Sequence, residues 1–177
     1  MSDLSATLKP NLTEDFLSEQ NRDRADETVS EIFMMMFGFD IVPIEIESPD
    51  PASLDLDERT AIVGFSGAMR GSCQVRIGSV AARSIASAML GGEPMGEDDD
   101  SIDDALGELC NMLAGGWKNR IPSLSSECAL SPPTVISGRN YRVHIVKPSV
   151  RLSRAYLFDG HTLHLTLHRE GAEHAQG

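Results

Sequence analysis

Residues 103–118 read DDALGELCNMLAGGWK. Ile102, Leu106, Leu109, Leu113 and Trp117 recur at three- and four-residue steps, the period of a helix with one apolar face. At 100° per residue Asp104, Glu108, Asn111 and Gly115 fall in a narrow arc on the opposite side. Such a helix lays its apolar face on a sheet and leaves the polar arc to solvent or to a partner. Most polar helix faces are merely solvated, but two features favour a partner. Glycine inside a helix costs about 1 kcal/mol relative to alanine, so Gly107 and Gly115, beside Glu108 and Asn111, predict close approach to the backbone. Asparagine is a poor helix former, yet a short carboxamide on a rigid rod can position a water.

Upstream, Ala25, Val29, Ile32, Phe33 and Met36 predict a long first helix from residue 13 to a stop at Gly38. Its sequence repeats the opening stretch without a gap. DETVSEIFMMMFG at 26–38 matches DDALGELCNMLAG at 103–115, with Asp26 on Asp103, Glu31 on Glu108, Met35 on Met112 and Gly38 on Gly115. The informative mismatch is Met34, which stands where the second copy has Asn111. Any chemistry that needs the acid and the amide together belongs to the second copy alone.

Between the helices, 41–47 (IVPIEIE) reads as a strand and 48–58 as a loop. TAIVGF at 60–65 and SCQVRI at 72–77 read as a hairpin, and SVAARSIASAML at 79–90 as a short helix closed by Gly91 and Gly92. After an acidic linker and the opening helix, strands are predicted over 130–137, 141–146, 155–158 and 162–167, the last two joined at Asp159 and Gly160. Helices and hairpin strands in separate blocks predict an α+β domain. Residues 1–12 read as a flexible arm, 13–170 as one domain and 171–177 as a polar tail.

The chain has 177 residues and a formal charge of −12, with no basic stripe to meet phosphates, so no nucleic-acid partner is expected. No run approaches the roughly 20 apolar residues of a membrane helix, and no secretory signal precedes the domain; the expectation is a cytoplasmic protein without membrane insertion. Cys73, Cys110 and Cys128 share no CxxC spacing and read as reduced, partly buried thiols. His144, His161, His164 and His168 read as exposed strand positions, and no metal site is expected. Met34, Met35 and Met36 read as filling core or interface space. There is no phosphate loop, nucleophile elbow or triad spacing.

Glu108, two residues and Asn111, preceded by Asp104 and followed by Gly115 and Lys118, resemble the signature helix of the CheC, CheX and FliY chemotaxis phosphatases. EIFMMMFGFD, IVGFSGAMRGS, ASAMLGGEP and SPPTVISG resemble CheX-type segments in the same order, so the resemblance covers about residues 20–168. It implies a CheC-like fold of duplicated helix and sheet units, two long helices packed on an antiparallel sheet. CheC-like members keep the pair in both helices and CheX-like members only in the second, which is the pattern here. Cys110, Gly116 and Trp117 depart from the residues frequent in the family.

The resemblance further implies a phosphatase acting on a phosphorylated CheY-like response-regulator receiver. Asn111 would orient the attacking water and Glu108 would dock to the receiver's lysine, while Asp104, Gly107, Gly115 and Lys118 would line the partner contact. Mg²⁺ would come with the receiver, the chain needing no cofactor of its own, and the protein would be a homodimer. The rival is a non-catalytic receiver-binding or flagellar-switch adaptor on the same fold.

Overall fold

The computed structural model describes residues 12–45, 58–96, 100–145 and 149–171. Most of the expected arm and tail, residues 46–57, on which most of the loop expected over 48–58 falls, and the acidic residues 97–99 lie outside the described residues. In chain order the elements are α1 (Leu12–Leu17), α2 (Glu19–Phe37), β1 (Val42–Ile44), β2 (Glu58–Gly67), β3 (Gly71–Gly78), α3 (Ser79–Met89), α4 (Asp100–Asn119), α5 (Pro122–Ser125), β4 (Cys128–Leu130), β5 (Thr134–Gly138), β6 (Ser149–Phe158) and β7 (His161–Glu170).

The helix predicted from residue 13 is two helices. Ser18 interrupts it with extended backbone (φ −61°, ψ 154°), and its hydroxyl accepts from the Asn21 N–H at 3.2 Å. A serine there satisfies a donor that a new helix would leave open, which restarts the chain as α2. Ala25, Val29, Ile32 and Phe33 are buried as their period predicts. Met36 is not, and Met34, Met35 and Met36 are 49%, 74% and 45% exposed, which takes them out of the core.

Among the described residues the sheet has seven strands in the order β1-β6-β7-β3-β2-β4, with β5 also on β2, and every pairing is antiparallel. Its topology is a crossed pair of similar halves. The short strand after α2 joins the β6–β7 hairpin, and the short strands after α4 join the β2–β3 hairpin. The antiparallel β3–β7 ladder seams the halves together. Each long helix covers the strand of the other half: Phe33 of α2 meets Phe158 of β6 (ring centroids 5.1 Å apart), while Trp117 of α4 meets Phe65 of β2 (5.5 Å). One cluster of buried side chains runs from Phe16 to Leu167 between helices and sheet.

Three strand expectations are corrected. The strand predicted over 130–137 is broken at Pro132 and Pro133, which cannot donate to a ladder. Ser131 bridges the gap, its N–H donating to Gly64 O at 2.9 Å and its hydroxyl accepting from the Gly64 N–H at 2.8 Å. Residues 141–145 form no strand, so His144 is not on one. Gly138 and Asn140 turn the chain out of the ladder (φ 147° and 54°), and Tyr141 is tethered by its side chain, whose hydroxyl meets that of Thr60 at 2.7 Å. Finally, β6 begins at Ser149 and not at 155, because the whole of β7 gives it a partner.

His164 and His168 share one face of β7, as their spacing predicts, but His168 is buried at 8% exposure where an exposed position was expected. Burial first, and then the Arg151 guanidinium opposite it on β6, push its imidazole down to about 4. Burial and then Arg76 on β3 lower His164 as well. Both folded values lie below the ordinary one, so the unfolded chain takes up protons first as pH falls. Stability is complete above the ordinary histidine value of about 6.5 and declines toward pH 4. Urea midpoints measured from pH 7.5 to 4.5 check this: the wild type falls more steeply than His168→Gln.

Candidate active site

The apolar face of α4 is buried as its period predicts, with Ile102, Leu106, Leu109, Leu113 and Trp117 each at 1% exposure or less. Each such aliphatic side chain contributes about 1.5–3 kcal/mol by leaving water. That burial orients the rod. Asp104 and Glu108 are exposed, and Asn111 and Gly115 are half-buried on the same outward stripe. Among the described residues no hydrogen bond or ion pair engages the side chains of Asp104, Glu108 or Asn111.

The corresponding positions of α2 are spent differently. Glu31, the counterpart of Glu108, accepts from Arg120 Nη2 at 2.5 Å, and Arg120 also reaches Glu27 at 3.6 Å and donates to Thr28 Oγ1 at 2.8 Å. Met34 stands for Asn111. The aspartates that match in the two helices are both anchors. Asp26 takes both Nε and Nη2 of Arg154, at 2.8 and 2.5 Å, and accepts from the Tyr156 hydroxyl at 2.8 Å. Burial and the neighbouring Asp26 carboxylate raise the Tyr156 phenol, which keeps it a donor. Asp103 accepts from Arg59 Nη1 of β2. Even the matching glycines differ: Gly38 ends α2 in the left-handed region (φ 67°), whereas Gly115 lies inside α4.

The glycines of α4 also have distinct neighbours. A Cβ on Gly107 would lie 3.1 Å from Pro133 Cγ, so the close approach predicted there is made by the chain's own loop. A Cβ on Gly116 would lie 2.7 Å from Thr28 Cγ2, so this glycine lets α4 cross α2. Gly115 has room, with only Leu130 Cδ1 at 3.8 Å. Lys118 is half-buried and donates to Ser125 O at 2.6 Å and Asn119 Oδ1 at 3.1 Å, which fastens α5 to the end of α4.

Beside the stripe lies a groove of about 320 Å³ lined by Asp103, Asp104, Gly107, Glu108, Pro133 and Val135. Pro133 and Val135 were not foreseen as part of the site. The double proline marks a strand break in the sequence, but only the pairing of Val135 with Ala61 brings that wall beside α4. Cys73, Cys110 and Cys128 are free, as expected, and more fully buried than their spacing suggested. The Cys110 thiol points at Ala61 O and Cys73 O, 3.6 Å from each, and hydrogen bonding to it raises the Cys73 thiol before burial does. Cys110, Gly116 and Trp117, the departures from the family pattern, thus lie off the outward stripe. Among the described residues no group of three or more His, Cys, Asp or Glu could hold a metal, and no helix is long and apolar enough to cross a membrane.

The family described as chemotaxis phosphatase CheX matches residues 59–153. A CheY-P phosphatase CheX of Thermotoga maritima is 31% identical over 108 residues, covering 59% of this chain and 70% of its own. A CheC-like superfamily protein from Shewanella sp. PV-4 superposes with a TM-score of 0.73 at 21% identity, over 87% of this chain and 99% of its own. The crystal structure of a CheX-CheY-BeF3-Mg²⁺ complex from Borrelia burgdorferi gives 0.64 at 20% identity, over 85% and 98%. At these identities the structural matches speak for the fold alone: an α+β architecture of CheC and CheX type.

Proposed function

This chain belongs to the CheX family of chemotaxis phosphatases, and on that premise we propose that it removes the phosphoryl group from a CheY-like response-regulator receiver by inserting Glu108 and Asn111 of α4. The enzyme class is that of a CheY-P phosphatase. One observation carries the assignment of the pair: Glu108 and Asn111 sit a turn apart, both reach the surface, and neither is engaged by another described side chain, while Glu31 is clamped by Arg120 and Met34 has no amide.

The chemistry asked of the pair is positioning. A receiver aspartyl phosphate carries its own Mg²⁺ and lysine, which neutralise the phosphoryl oxygens, and hydrolysis needs a water held opposite the leaving carboxylate. The Asn111 carboxamide holds that water, and being neutral it does not repel the phosphoryl oxygens. Glu108 pairs with the receiver's lysine and fixes the register. Asp104 and Gly115 extend the contact along the open stripe, Gly107 lines the groove against Pro133, and Lys118 stands at the far end of the stripe. The unit spans residues 13–170, works in the cytoplasm and pairs with a second copy, which light scattering checks.

The test is the lifetime of phosphoryl groups on a phosphorylated CheY-like receiver with and without the full chain. Shortening supports the phosphatase; tight binding with an unchanged lifetime supports the adaptor reading. Glu108→Gln is expected to weaken docking by about 1.5–3 kcal/mol, roughly 10- to 150-fold in KM, with a smaller change in kcat. Steady-state kinetics at two salt concentrations check this, since the wild type loses more affinity than the variant as salt rises.

A further inference from the structure

We infer that Arg59, through its ion pair with Asp103, is a positioning residue for Glu108 and Asn111; the inference rests on the reading of those two as the reactive pair. Helix α4 can drift in two ways, by turning about its axis and by sliding along the sheet. Its apolar contacts resist drift softly, because the hydrophobic effect has no direction. A turn of about 20° would carry a side-chain tip about 5–6 Å from the axis through about 2 Å. Misplacement by about 1 Å can already cost 10²-fold in a reaction that depends on alignment.

The Trp117 indole gives α4 a directional tie near its C-terminal end, and the Arg59–Asp103 pair adds a charged one near its N-terminal end. Arg59 is inside the sheet, its backbone held between Ile77 of β3 and Ser137 of β5, and its side chain is only 10% exposed. Its Nη1 donates to Asp103 Oδ1, five residues before Glu108 and eight before Asn111. On the same flank Gly107 rests on Pro133, at the head of the strand that pairs with β2. An ion pair at one end and a steric stop one turn later set both the rotation and the height of α4. The outward stripe inherits that setting.

The other half of the molecule provides the control. Asp26 on α2 occupies the matching place and holds Arg154 and Tyr156 of β6, yet α2 carries Met34 where α4 has Asn111. If such pairs only hold helices to the sheet, breaking either has the same consequence. If the Arg59–Asp103 pair positions the reactive stripe, only its loss reaches the chemistry.

The experiment compares full-length Asp103→Asn, Arg59→Lys and Asp26→Asn, measuring urea midpoints together with kcat and KM for dephosphorylation of a phosphorylated CheY-like receiver. Asp103→Asn is expected to lower kcat about 10- to 100-fold with KM within about threefold, and Arg59→Lys, which keeps the charge but not the fork, to fall between it and wild type. Asp26→Asn lowers the urea midpoint and leaves kcat within about twofold. Equal losses of kcat in Asp103→Asn and Asp26→Asn overturn the inference, as does wild-type kcat in Asp103→Asn. Where Asp103→Asn loses its cooperative transition, Arg59→Lys decides on the same criteria. Should Asn111→Ala keep full activity, the reactive pair itself is wrong; should it be inactive while Asp103→Asn is fully active, only the positioning role fails.

Discussion

Asn111→Ala is expected to abolish accelerated dephosphorylation while leaving the fold and the docking intact. Removing one well-aimed hydrogen-bonding group from a site that works by alignment costs on the order of 10²–10³ in kcat, enough to return the receiver to near its own rate of hydrolysis. The fold has little reason to change, since the Asn111 carboxamide is not engaged by any described side chain and alanine is the better helix former. Affinity for a receiver treated with beryllium fluoride should stay within a few-fold, because Glu108 still sets the register. Phosphate release and binding measured on the same preparation check both halves. Undiminished release would sink the assignment, and lost binding would make Asn111 a docking residue.

Trp117→Ala carries the largest expected cost in stability. Trp117 is 1% exposed and lies edge-on to Phe16 (80° between planes) as well as against Phe65, tying α1 and β2 to the end of α4. Its indole N–H donates to the Asn21 carboxamide at 3.0 Å, and Asn21, only 2% exposed, donates in turn to Phe16 O at 2.8 Å. Truncation opens a large cavity and orphans a buried acceptor, a loss of about 3–5 kcal/mol. In a chain of this length that is a fall of roughly 6–20 °C in Tm. Trp117→Phe keeps most of the volume but not the donor, and should cost about 1–2 kcal/mol. Circular dichroism is the readout, since Trp117 is the only tryptophan of the chain. Equal midpoints for wild type and Trp117→Ala would contradict the packing described for this corner.

The elements that could be foreseen are those whose signal is local. Period 3.6 in α4 and period 2 in β3 report a buried face directly, and Asp159–Gly160 announces a tight hairpin turn, with φ of 44° and 74° at its two residues. Where local signals mislead, a distant partner is involved. The alternation at 141–145 looks like a strand, but a strand exists only where an edge accepts it, and here Tyr141 is held by a side-chain bond to Thr60, 81 residues away. Ser18 looks like one polar residue in a long helix until it is seen to cap the next one.

The site divides in the same way. That α4 has an outward polar stripe, that Glu108 and Asn111 share it, and that the first copy offers Met34 instead of the amide all follow from residue order and helical period. Which carboxylates are at liberty to act does not. Asp26, Asp103 and Glu31 are bound by Arg154, Arg59 and Arg120, at separations of 128, 44 and 89 residues. Gly107 is filled by the chain's own Pro133, not held open for a partner. An ion pair or a close steric contact depends on which side chains the crossed halves bring together in space, and a repeat within one helix carries no information about that. Residue order is enough to establish the stripe and its one amide; which carboxylates of the two helices are taken up in ion pairs is set by residues far away in the chain.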